Sequence, residues 1–77
     1  MRQIKILGPG CRRCDQLAAA TKEAADQLGI DYELEKVTDV AKFVDYGVMM
    51  TPGLVVDGEV KSQGEVLSSD TIKAMLA

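Results

Sequence analysis

Apolar and polar positions change their period several times along this chain, and each change marks an element. Arg2 to Leu7 is short, rich in Ile and Leu, and stops at Gly8, which predicts a buried strand. From Arg12 to Leu28 the apolar positions Leu17, Ala20, Ala24, Ala25 and Leu28 recur at helical spacing. Asp15, Lys22, Glu23, Asp26 and Gln27 occupy the remaining face. Gly29 stands where a left-handed C-terminal cap belongs. Asp31 to Val37 alternates charge with Tyr32 and Leu34, the period of a strand with one wet face. Thr38 or Asp39 can cap a short helix that carries Val40, Phe43 and Val44 on one side and ends at Gly47. Val48-Met49-Met50-Thr51-Pro52 has neither period, and Pro52 stops any element running through it.

Leu54-Val55-Val56 and Val60-Lys61-Ser62 flank Asp57-Gly58-Glu59, and Asp-Gly between β-type runs predicts a hairpin. Ser68 or Ser69 then starts a last helix, with Ile72, Met75 and Leu76 facing inward. The resulting order is βαβαββα, an α/β chain without linker, repeat or low-complexity segment, read as one domain over residues 1–77. The early βαβ unit implies two parallel strands joined by a right-handed crossover. The terminal hairpin adds two antiparallel strands, which makes a mixed four-stranded sheet with helices on its faces.

Composition narrows the function classes. Seventy-seven residues lie near the lower limit for a self-sufficient core. With no Trp and one Phe, that core must come from Val, Ile, Leu, Ala and Met, with Tyr32 and Phe43 expected inside it. A net charge of −3 argues against nucleic acid as a partner, which would call for a broad basic face. No apolar run approaches the roughly 20 residues of a membrane helix, and no hydrophobic signal region precedes Gly8. The expected setting is therefore the cytoplasm, with no membrane partner. The absence of histidine excludes Ser-His-Asp and Cys-His catalysis and any imidazole metal ligand.

The chemistry concentrates in Gly8-Pro9-Gly10-Cys11-Arg12-Arg13-Cys14, which holds both cysteines of the chain. One helical turn apart, two sulfurs can close a tight disulfide or grip one soft metal ion. In a reducing cytoplasm such a pair is catalytic or metal-binding rather than a structural staple. At the start of a helix, Cys11 meets unpaired N–H groups and the positive end of the dipole. Arg12 and Arg13 add positive charge and Asp15 partly opposes it. This predicts a Cys11 that is acidic for a thiol and a Cys14, one turn deeper, that is not. Arg12 and Arg13 either tune the thiol or are simply solvated. Met49 and Met50 either rim a substrate groove or fill an irregular loop.

A Cys-x-x-Cys after the first strand, Tyr46-Gly47-Val48-Met49-Met50-Thr51-Pro52-Gly53 before the hairpin, and Val55-Val56-Asp57-Gly58-Glu59-Val60 within it resemble the thioredoxin fold. More narrowly, Arg2 to Leu76 resembles the small glutaredoxin-sized, thioredoxin-like redox-active disulfide proteins. The resemblance implies thiol–disulfide exchange, with Cys11 as nucleophile and Cys14 as resolving thiol. The redox-active Cys11–Cys14 disulfide then serves in place of any cofactor or metal. It also implies a cis bond between Thr51 and Pro52, with the Thr51 backbone beside the sulfurs to meet an extended substrate. On this reading Thr51 and Pro52 shape the substrate-contact surface, with Met49, Met50, Arg12 and Arg13 at its edge. The implied partners are a protein or small-molecule disulfide substrate and a reductase or dithiol donor, and the protein is expected to act as a monomer. No acidic residue occurs from Met1 to Cys14, so the first strand offers no counterpart to the buried carboxylate that assists proton transfer in thioredoxins.

Two other readings use the same residues. A Cys-x-x-Cys near the start of a short chain also resembles heavy-metal-associated domains, which carry soft ions such as Cu(I). Those have a βαββαβ order and usually a Met where this chain has Pro9. The other is a non-catalytic thioredoxin-like adaptor that docks on a partner.

Overall fold

The computed structural model describes residues 1–10 and 12–76; Cys11 and Ala77 lie outside the described residues. Its elements are β1 (Arg2–Leu7), α1 (Arg12–Leu28), β2 (Tyr32–Val37), α2 (Val40–Tyr46), β3 (Gly53–Val56), β4 (Glu59–Gln63) and α3 (Ser69–Leu76). This is the βαβαββα order expected from the sequence, ending in a helix. The strands form one mixed sheet in the order β2-β1-β3-β4. β1 runs parallel to β2 and antiparallel to β3, which pairs antiparallel with β4. The central strands carry the buried apolar residues. The edge strands carry charge, Glu33, Glu35 and Lys36 on β2 and Glu59 and Lys61 on β4, which discourages pairing with another chain.

Local chemistry sets the boundaries. The Asp39 side chain accepts a hydrogen bond from Ala41 N (3.0 Å) and starts α2; Gly47, at φ 82°, ends it in the left-handed region. Ser68 caps α3 by accepting from Thr71 N (3.3 Å) through its hydroxyl. Asp57 and Gly58 both have positive φ (52° and 82°), as a two-residue hairpin turn matched to the strand twist requires. Asp57 also ties that turn to β1, donating its N–H to Gln3 O (2.7 Å) and accepting from Gln3 N (2.9 Å). The pairing of β3 with β4 shifts between Leu54 and Val55, so Lys61 is an extra residue on β4 and the edge is bulged there.

Side chains alternate across the sheet. On one face Ile4, Ile6, Leu54 and Val56 pack against Leu17, Ala18, Ala24 and Ala25 of α1 and Ile72 and Leu76 of α3. Thr21 is fully buried there, its hydroxyl donating to Leu17 O (2.7 Å), so the polar group sits in the core without loss. On the other face Leu7, Val37 and Val55 pack against Phe43 of α2 and Val48.

Three expectations need correction. Val40 and Val44 do not face inward but are exposed, at 63% and 77%. α2 has only two turns, and Phe43 together with Val48 beyond its cap fills the space under it. Tyr32 is half-buried at the rim rather than in the core, because β2 is an edge strand; its hydroxyl donates to Asp26 Oδ1 (2.9 Å). Met49 and Met50 do not fill the loop between α2 and β3. They stand out from it at 91% and 61% exposure.

Candidate functional site

β1 leads toward α1 through Gly8, whose N–H donates to Val37 O (2.9 Å) and prolongs the pairing with β2. Gly8 is buried, and a Cβ there would lie inside the sulfur of Cys14. Only glycine permits this approach of strand end to helix. Cys14 is the third residue of α1 and is 4% exposed, so its sulfur is roofed by the strand end rather than open to water. Cys11 lies outside the described residues, and with it the predicted acidity of its thiol and the Cys11–Cys14 bridge.

The sheet register decides what meets this turn. Leu7 pairs with Gly53, so the end of β1 lies beside the start of β3. Thr51 and Pro52, immediately before β3, therefore stand at the same end of the sheet as Gly8 and the first turn of α1. The Thr51–Pro52 peptide bond is cis; Pro52 is buried and Thr51 half-buried.

Gln63, which the sequence did not single out, holds this arrangement together with Gly64 and Arg13. Gln63, the last residue of β4, accepts from Met49 N (2.8 Å) and Met50 N (3.2 Å) through Oε1. Gly64 N donates to Pro52 O (2.9 Å), and Arg13 Nη2 donates to Gly64 O (3.0 Å). Gly64 has φ 78°, and a Cβ there would come within 2.9 Å of Met50 Cε, so the methionine lies directly over it. No local pattern marks Gln63: an exposed polar residue at a strand end resembles any other. Arg12 is exposed.

Charge around the first turn of α1 is partly compensated. Lys36 reaches from β2 to Asp15 (Nζ to Oδ1, 3.2 Å), so the acid expected to oppose a thiolate has its own cation. Among the described residues Thr21 is the only buried polar or charged one, so no carboxylate is buried beside Cys14. This agrees with the absence of acidic residues from the first strand. Nor, among the described residues, are three or more His, Cys, Asp or Glu grouped so as to hold a metal ion. Two acid–base groups on the strands are shifted. A hydrogen bond to Glu35 holds the Lys5 ammonium above its ordinary 10.5, with partial burial working against it. A hydrogen bond to Asp26 holds the Tyr32 phenol above its ordinary 10.0.

A mixed four-stranded sheet with helices on both faces, a buried cysteine in the first turn of the helix after β1 and a proline loop at the same end define a thioredoxin-fold protein. The family described as "Thioredoxin domain" matches residues 2–77, and the chain belongs to that family. It is 42% identical to the thioredoxin of Methanothermobacter thermautotrophicus over 77 residues, the whole of both chains. It is 40% identical over 73 residues to the thioredoxin of Methanocaldococcus jannaschii, covering 95% of this chain and 84% of that one.

Proposed function

We propose that this protein is a thiol–disulfide oxidoreductase of thioredoxin type working through Cys11 and Cys14. The Cys11 thiolate attacks one sulfur of a substrate disulfide, forms a mixed disulfide and releases the other substrate sulfur as a thiolate. Cys14, deprotonated, then attacks Cys11 Sγ and forms the Cys11–Cys14 bridge. The second substrate thiolate leaves, so two electrons pass to the substrate and two protons end on its thiols. A dithiol donor or reductase returns the bridge to the dithiol state. Half-buried Thr51 and buried Pro52 shape the contact surface, with Met49, Met50, Arg12 and Arg13 at its rim. The bridge itself serves in place of a cofactor.

The observation that carries this reading is the burial of Cys14 under Gly8 at the sheet end where Thr51 and Pro52 also stand. A resolving thiol shielded from solvent suits intramolecular attack better than reaction with outside disulfides. With no carboxylate buried nearby among the described residues, the Cys14 proton leaves through water or the departing substrate thiolate. The names of the relatives support the same activity. We place the protein in the cytoplasm as a monomer acting on protein or small-molecule disulfides, and not on nucleic acid, given its net charge of −3.

The test is a redox titration across defined dithiothreitol ratios, with free thiols trapped for mass spectrometry, alongside reduction of insulin. A single two-electron transition with loss of two hydrogens, and insulin reduction that disappears in Cys11→Ser, are expected. Thiols protected by a copurified metal, or no bridge under oxidising buffer, would turn the assignment to soft-metal handling. A bridge without insulin reduction would turn it to an adaptor.

A further inference from the structure

Residues 48–52 connect α2 to β3 outside the sheet ladder, yet four hydrogen bonds from elsewhere converge on this loop and its brace. One side-chain oxygen, Gln63 Oε1, takes two consecutive backbone N–H groups, Met49 N and Met50 N, using both of its lone pairs. That fixes the peptide planes immediately before Thr51. Gln63 itself is anchored, since it closes β4 opposite Gly53. The next residue, Gly64, holds Pro52 O with its N–H and offers its own carbonyl to Arg13, the residue before Cys14. A continuous path thus runs from the first turn of α1 through Arg13 and Gly64 to Pro52, with Gln63 beside it.

We propose that Gln63 and Arg13 are positioning residues for thiol–disulfide exchange, holding the Thr51–Pro52 loop at a set distance from the Cys-bearing turn of α1. This rests on the exchange activity proposed above. Both side chains are exposed, so these bonds add little to the stability of the core. Their value lies in geometry. A substrate disulfide must approach Cys11 in line with the breaking S–S bond, and small misplacements of the seat that holds it are expensive in rate. Arg13 thereby has a use that is neither thiol tuning nor simple solvation, and Met49 and Met50 point outward because Gln63 holds their backbone from behind.

The experiment compares wild type, Gln63→Ala, Gln63→Glu, Arg13→Met and Arg13→Lys in insulin reduction, in reduction of the small disulfide 5,5′-dithiobis(2-nitrobenzoate), and in redox equilibrium with dithiothreitol. Gln63→Ala is expected to lower kcat/KM toward insulin about five- to tenfold, with a smaller loss toward the small disulfide, which has no extended backbone to seat. Its reduction potential and thermal midpoint should match wild type. Gln63→Glu, which keeps an acceptor oxygen at the Oε1 position, should return to within about twofold of wild type. Arg13→Met should lose about threefold toward insulin without moving the pH profile of Cys11 alkylation, and Arg13→Lys should recover part of that loss. The proposal is overturned if Gln63→Ala reduces insulin like wild type, if Gln63→Glu is as impaired as Gln63→Ala, or if the loss follows a changed potential. Wild type that does not reduce insulin at all overturns the exchange activity itself, a result no variant can mimic.

Discussion

Against α1 and α3, the sheet is covered by two helices whose small residues, Ala18, Ala24 and Ala25, let them settle closely on Ile4, Ile6, Leu54 and Val56. The opposite face has only two-turn α2 and the loop after it, and Phe43 and Val48 cover Leu7, Val37 and Val55. The first face is sealed. The second leaves Val40, Val44, Met49 and Met50 in water on α2 and the loop that leads into Pro52. Stability and contact chemistry are therefore divided between the two sides of one sheet. The thick face supplies most of the burial, and the thin face is free to expose apolar side chains next to the site. Gly8 and Cys14 stand where strand and helix meet at that end.

The sharpest challenge to this division is truncation in the thick face. Leu17→Ala should destabilise by about 3–5 kcal/mol, because helix and strand on both sides of Leu17 prevent collapse into the cavity. Phe43→Ala removes a larger side chain but should cost less, about 2–3 kcal/mol, because α2 can shift to close the gap. Urea unfolding of both variants decides the matter: if Phe43→Ala loses as much as Leu17→Ala, the thin face is not thin in energy. Gly8→Ala comes next, at about 1–3 kcal/mol, since its methyl and the Cys14 sulfur claim the same space and the first turn of α1 must move. Urea midpoint and the rate of Cys14 alkylation should both report that shift.

At the exposed end of the scale, Val44→Asp should change stability by less than about 0.5 kcal/mol, as expected of a side chain that covers nothing. A larger loss in thermal melting would mean that α2 buries more than Phe43. The smallest effect concerns pH. Lys5 and Tyr32 are both raised above their ordinary values, 10.5 and 10.0, so what they contribute is complete below those values and disappears as pH climbs through the higher folded-state ones. The urea midpoint of wild type should therefore fall slightly more than that of Lys5→Gln between about pH 9 and pH 11.5. A gap between the two that widens with pH would contradict the Lys5–Glu35 hydrogen bond.

The features legible along the chain were local. Strand, helix and hairpin positions depend on apolar period, on caps such as Asp39, Gly47 and Gly29, and on the Asp57-Gly58 turn. These interactions lie within a few residues, so they can be read along the chain. The glycine-broken end of β1 and the break at Pro52 before β3 were legible for the same reason. Long-range packing set the order β2-β1-β3-β4, the bulge at Lys61, the outward turn of Val40 and Val44, and the burial of Thr21. It alone showed that position 8 must lack a side chain because Cys14 lies against it, and that Gln63 grips a loop thirteen and fourteen residues earlier. Each of these depends on which surface comes to lie opposite, and an amphipathic pattern specifies that a face is buried without specifying by what.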